Sequence, residues 1–188
     1  MADFTSRAIK ETFIKQLEER PISEITVKSI VEECGVNRNS FYYHFRDLPA
    51  LVEEIVKEEA EGIIAKYPSV NSILECYDAL IEFASHRKKA IMHIFQSLNR
   101  EVFERNLMWV SEYFIKSWVE NVSREKKLSD RDREALVNYY KCLGFGMVID
   151  WLNHGMSETY TADIRRVLLY KMDFIQESIL MFDENHKE

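Results

Sequence analysis

The chain has 188 residues, 46% of them hydrophobic, with 25 Lys or Arg against 32 Asp or Glu and so a net charge of −7. This length buries a substantial core and predicts two closely packed helical parts rather than many domains. Five glycines and three prolines exclude a sheet-rich protein full of turns, and no apolar run reaches the roughly 20 residues of a membrane span.

The first predicted helix covers residues 6–19, with Ile9, Phe13 and Leu17 on its inner face and Phe4 and Ile9 stapling around Thr5. Arg20-Pro21 ends it. Val27, Ile30, Val31 and Cys34 then fall at i, i+3, i+4 and i+7, the single buried stripe of a short second helix. Thr26 is placed to cap that helix and Ile25 and Ile30 to staple its start. Gly35 is the residue able to take the left-handed conformation at its end. Asn37 caps a third helix of about two turns. Within it Phe41 and Phe45 share an inward face. Successive residues rotate by about 100°, so Asn39, Tyr42, Tyr43 and Arg46 point outward, with Arg38 on the flank. Arginine and asparagine offer paired donors to base edges, and tyrosine hydroxyls reach phosphates. Two short helices joined by a glycine turn, the second with such a face, are a means of placing a helix in the major groove of DNA.

The run Thr26-Val27, Ile30, Gly35-Val36, Phe41-Tyr42-Tyr43-His44-Phe45, Leu51 is similar in residue type and spacing to the signature of the TetR (tetracycline-repressor-like) family of bacterial transcriptional regulators. The resemblance covers residues 5–66. It implies an all-α chain: an N-terminal three-helix helix-turn-helix domain at 1–47, then a connecting helix and a C-terminal effector-binding and dimerisation domain at 48–188. It assigns DNA binding to Thr26, Lys28, Asn37, Arg38, Asn39, Ser40, Tyr42, Tyr43, His44 and Arg46. The family's usual lysine at the start of the fourth helix is replaced by Leu48, followed by Pro49, which leaves Arg46 as the candidate for that phosphate contact.

Residues 1–50 hold seven Lys or Arg against eight acids, so most of the acidity lies outside the reading head. Lys28, Arg38 and Arg46 form a local positive edge, with Arg7 or Lys10 reaching the DNA backbone or minor groove. With so few cations presented, non-specific DNA binding is expected to be weak.

The fourth helix runs from after Asp47 to about Lys66, burying Leu51, Ile55, Ala60 and Ile63, and is expected to be the one covalent path between the two parts. Ser72 and Glu75 have the spacing of a capping box, opening a helix to about Ala84. Further helices are predicted at 87–97, 100–125, 130–155 and 162–182. The last two have apolar faces wider than a surface helix needs, so each is buried on two sides. This matches the dimer interface of the resembled family, and Gly144, Ile149, Leu168, Met172, Ile175 and Ile179 are the residues assigned to it. The family also places an effector cavity among these helices, for which Met92, His93, Gln96, Met108, Trp109, Tyr113, Tyr139, Phe145 and Trp151 are candidates, with a largely apolar effector.

Three cysteines without paired spacing (Cys34, Cys76, Cys142) read as reduced thiols in a bacterial cytoplasm, and the N-terminus lacks the pattern of a signal peptide. No nucleophile with a base, phosphate-cradling loop or metal-ligand spacing is evident, so neither catalysis nor a cofactor is expected. The reading is a homodimeric regulator of a near-palindromic operator in double-stranded DNA, a repressor released by a small, largely apolar effector. The alternatives are a ligand-responsive activator and a protein-interaction module with a decayed reading helix.

Overall fold

The computed structural model describes residues 2–124 and 128–181, for 2–3 and 172–181 the backbone alone. All regular structure among these residues is helical. The order is α1 (Ala2–Glu19), a 3₁₀ turn (Ile22–Glu24), α2 (Val27–Cys34), α3 (Arg38–His44), α4 (Leu48–Lys66), α5 (Ile73–His86), α6 (Lys88–Phe95), α7 (Arg100–Val122), α8 (Asp130–Asn153) and α9 (Glu158–Met181). None of the described helices is long and apolar enough to cross a membrane.

Sequence periodicity located these helices, but α1 and α9 each begin four residues before their expected starts, at Ala2 and Glu158. Because α1 already begins at Ala2, Thr5 lies inside the helix and cannot cap it. Phe4 is 78% exposed, so the expected staple with Ile9 does not form. Ser72 does cap α5, its Oγ accepting from Glu75 N at 3.1 Å, but the Glu75 carboxylate accepts from Asn71 N at 2.8 Å rather than closing the box on Ser72.

The chain forms two compact units, Met1–Ala60 with His86–Asn106, and Glu61–Ser85 with Leu107–Glu188. The polypeptide therefore passes between them three times, within α4, at the end of α5 and within α7. The fourth helix is not the sole covalent path, because α6 returns to the first unit.

In the first unit Ile9, Phe13 and Leu17 of α1 meet Ile30 of α2, Phe41 of α3 and Leu51 and Val52 of α4, and Ala90 and Ile94 of α6 join this core. A buried amide locks the arrangement. Gln16 is 1% exposed, and its Nε2 donates to Ser29 O and the Glu33 carboxylate while its Oε1 accepts from Ser29 Oγ. Every polar atom of that side chain is satisfied, which removes the penalty of burying it.

In the second unit Phe114, Trp118 and Val119 of α7 and Tyr140 and Leu152 of α8 are buried, the Trp118 and Tyr140 rings meeting edge to face at 5.2 Å. The link from α4 to α5 is held on α7: Val70 N donates to Ser117 Oγ and Asn121 Nδ2 donates to Val70 O. Arg165 of α9 clasps Asp78 of α5 through two hydrogen bonds of 2.9 and 3.0 Å.

Candidate functional site

The reading face is built from local signals. Thr26 Oγ1 accepts from Ser29 N at 3.0 Å and Ser29 Oγ accepts from Thr26 N at 3.2 Å, a reciprocal cap that starts α2. Gly35 closes that helix at φ +71°, a conformation only glycine adopts readily. Asn37 then starts α3, its Oδ1 accepting from Ser40 N at 2.8 Å and from Ser40 Oγ at 3.1 Å. Thr26, Asn37 and Ser40 are thus engaged in capping, which sets where α3 begins and which of its side chains face out.

Phe41 and Phe45 are buried at 0% and 2% exposure, 5.6 Å apart, and anchor α3 to the core. On the other side Arg38, Asn39, Tyr42 and Tyr43 are exposed, Tyr43 by 79%. The Arg38 guanidinium lies 6.0 Å over the Tyr42 ring and makes no ion pair among the described residues. His44 stands edge-on to Tyr43 with ring centres 5.0 Å apart. Arg46 is exposed and its Nε donates to Asp47 at 2.9 Å. Asp47 caps α4 by accepting from Ala50 N at 2.9 Å. That backbone bond, then the Arg46 hydrogen bond, hold its carboxyl below the usual range. Lys28 lies 3.7 Å from Glu32 on the solvent side of α2.

Lys10 departs from expectation. Its Nζ is 2.6 Å from Glu54 and also bonds Glu58, both on α4, and the side chain is only 15% exposed. Burial by itself lowers a lysine pKa, but the bonds to these two carboxylates outweigh it and raise this one. Lys10 therefore ties α1 to α4 and does not reach toward DNA. Arg7, exposed at the N-terminal end, bonds Glu11.

The effector candidates divide between the units. Met92 and His93 lie on α6 and Gln96 at its C-cap, all in the first unit. His93 Nδ1 is 2.6 Å from Leu17 O, and since a carbonyl can only accept, Nδ1 carries the proton. His93 thus pins α6 to the end of α1. Met108, Trp109, Tyr113, Tyr139, Phe145 and Trp151 lie in the second unit. Tyr139 and Trp109 are 64% and 43% exposed. Tyr113 OH donates to Pro68 O at 3.2 Å and Trp151 Nε1 to Ser157 O at 3.1 Å, so these two polar ends are engaged within the protein.

A cavity of about 30 Å³ does lie in the second unit, with Cys76, Tyr77, Ser111, Phe114, Tyr140 and Met147 among its walls. None of the nine effector candidates lines it, whereas Gly144 and Leu168, assigned to the dimer contact from sequence, do. Sequence reasoning missed Ser111 and Gln16. A lone serine and a lone glutamine on amphipathic helices carry no signal of their burial; only the neighbouring helices create it. Ile149 is half-buried. Met172, Ile175 and Ile179 fall on α9, but their side chains lie outside the described residues. Among the described residues no group of three His, Cys, Asp or Glu is placed to hold a metal ion.

Residues 12–55 match the family model described as "Bacterial regulatory proteins, tetR family", and residues 71–169 match that described as "Transcriptional regulator C-terminal region". The uncharacterized HTH-type transcriptional regulator YxbF of Bacillus subtilis (strain 168) is 30% identical over 63 residues, covering 34% of this chain and 17% of that protein. The chain thus matches only a small part of that curated relative. The structure of the dihydroxyacetone kinase operon activator DhaS aligns with a TM-score of 0.70 at 17% identity, covering 90% of this chain and 97% of the other. At that identity the likeness is one of fold.

Proposed function

We propose that this chain, which belongs to the TetR family of bacterial transcriptional regulators, reads a near-palindromic operator through the outer face of α3 and alters transcription when a small molecule binds its helical C-terminal part. Regulators of this family are non-catalytic, generally bind operator DNA as homodimers and respond to small-molecule effectors. The observation that carries the proposal is the two-sided construction of α3. Phe41 and Phe45 are buried, while Arg38, Asn39, Tyr42 and Tyr43 stand exposed on a helix held by caps at both of its approaches. Arg38 and Asn39 supply base-edge donors; Tyr42, Tyr43 and Arg46 supply phosphate contacts.

We place the dimer contact on α8 and α9. There Tyr139, Leu143, Val167, Leu169 and Tyr170 are each more than 40% exposed, an apolar display that a second copy would cover. The protein acts in the bacterial cytoplasm, where its operator is.

For the direction of control we favour ligand-responsive activation. The DhaS structure, alike over nearly its whole length and named for activating an operon, supports it. Repression relieved by a small, largely apolar effector is the second reading, supported by the aromatic content of α7 and α8. Selection of bound genomic fragments, followed by a transcriptional reporter on the selected operator with and without the gene, tests both. Activation predicts that reporter output falls when the gene is removed, and repression predicts that it rises. Failure to select any sequence would overturn the operator reading itself.

A further inference from the structure

We propose that Asp47 and Glu32 limit the sequence-independent part of DNA binding, by competing with the DNA phosphates for Arg46 and Lys28. This role rests on the reading of α3 as the helix that meets DNA, and adds the residues that keep contact with a wrong sequence weak.

Three exposed cations are assigned to DNA, and they are held in two different ways. Arg46 Nε donates to Asp47 Oδ2 at 2.9 Å, and Lys28 Nζ lies 3.7 Å from the Glu32 carboxylate, one turn along α2. Arg38 makes no ion pair among the described residues; its guanidinium lies 6.0 Å over the Tyr42 ring. The difference shows in what each leaves behind. When Arg38 turns to a base edge it leaves a neutral ring and gives up a weak cation–π contact. When Arg46 or Lys28 turns to a phosphate it leaves a bare carboxylate, well within the ~10 Å over which charges act at 0.1 M salt. The phosphate is then repelled by the group that released the cation.

Asp47 is held in place. Its Oδ1 accepts from Ala50 N at 2.9 Å and so caps α4, a bond separate from the one to Arg46. A helix N-terminus favours a negative charge. That backbone bond, then the Arg46 bond, hold the carboxyl below its usual range, so it is charged at neutral pH. Glu32 is held less firmly. It shares the exposed side of α2 with Lys28 at the i, i+4 spacing of a surface helix pair, and at 3.7 Å it is the weaker competitor.

Non-specific binding comes almost wholly from phosphate contacts, whereas operator binding also has base contacts. A penalty on the phosphate cations that spares Arg38 therefore leaves base recognition the larger share of the affinity. The lysines of α1 do not restore the phosphate share, because Lys10 is bonded to Glu54 and Glu58 and Lys15 to Glu33.

The test measures binding of the full-length protein to a fluorescein-labelled duplex of random sequence, by anisotropy, across about 50–200 mM salt, where phosphate contacts dominate the change. We expect Asp47→Asn to bind this duplex about two- to fivefold more tightly than the parent at low salt, the scale of one exposed ion pair. Glu32→Gln should gain less. Each log–log salt slope should steepen, by at most about 0.9, the value for one further phosphate contact. Asparagine caps a helix as well as aspartate does, and a gain in affinity cannot come from a variant that fails to fold. Glu120→Gln, the same charge change at an exposed position of α7 in the second unit, should leave affinity and slope unchanged. With Arg46→Met already in place, Asp47→Asn should gain less than it does in the parent. Unchanged affinity in both Asp47→Asn and Glu32→Gln, an equal gain in Glu120→Gln, or an undiminished gain without Arg46 overturns the proposal. Selected genomic fragments are measured beside the random duplex. A parent that prefers none of them overturns the operator reading, while the random duplex still decides the role of Asp47 and Glu32.

Discussion

The two compact units solve opposite problems with the same kind of helix. The first has a core in which Ile9, Phe13, Leu17, Ile30, Phe41, Leu51 and Val52 are at 0–1% exposure, and its buried amide, Gln16, has every polar atom paired. The second leaves Tyr139, Leu143, Val167, Leu169 and Tyr170 in solvent and a hydroxyl unpaired beside a cavity. A helix presented to DNA gains from a core packed this closely beneath it. The exposed apolar side chains of the second unit are where we place the dimer contact.

If the second unit's apolar display is an unfilled interface, Leu169→Glu should have the largest effect of any exposed substitution. Each copy would lose on the order of 1–3 kcal/mol of burial, counted twice across a symmetric contact, so the dimer should fall apart at micromolar concentration and operator binding with it. Sedimentation of the variant checks the first outcome and gel shift the second. A dimer that survives puts the interface elsewhere.

For the first unit the corresponding break is internal. Phe41→Ala should cost about 3–5 kcal/mol, because it opens a cavity in a core with no slack. Urea denaturation should show the loss, while Tyr43→Ala, a position 79% exposed, should leave the midpoint nearly unchanged. Equal destabilisation by the two would mean that α3 is not two-sided.

Arg38→Ala sharpens the comparison on the outer face alone. We expect a loss of about 1–3 kcal/mol in operator binding and relaxed base preference at one position of each half-site, with stability retained. Binding measured against a set of singly substituted operators separates this from a phosphate contact, whose loss would weaken all sequences alike.

The smallest effect concerns the junction of α3 and α4. The Asp47 carboxyl titrates below its usual range because of Ala50 N and Arg46. A depressed folded-state pKa stabilises above the unfolded value near 3.9 and ceases to as pH falls through the folded value. The parent should therefore be slightly more stable than Asp47→Ala at neutral pH, and the difference should shrink only in strong acid. A difference that grows on acidification would contradict the assignment of the cap.

The helix-turn-helix was legible because its determinants are local. Thr26, Gly35 and Asn37 act on backbone groups within a few residues, and the Phe41–Phe45 spacing alone decides which side of α3 turns inward. The same locality explains α4, found at Leu48–Lys66 as its apolar spacing and the Lys66–Pro68 end predict. Lys10 was misread because its partners, Glu54 and Glu58, lie more than forty residues away in the chain. The assignment of α6 to the first unit escaped notice for a similar reason: it depends on His93 meeting Leu17 O and on Ala90 and Ile94 entering a core built mainly by residues before Val56.

By itself the sequence determined the helices, the caps of α2 and α3, the turn at Gly35 and the polar face that α3 turns outward, since each follows from hydrogen-bond demand and periodicity within one or two turns of chain. Only the tertiary structure decided which unit α6 joins, that Lys10 faces α4, that Gln16 is buried and satisfied, and that Ser111 is buried and is not. Those outcomes turn on which distant groups arrive beside a given side chain, and burial and pairing, unlike helical phase, are properties of neighbours rather than of the residue.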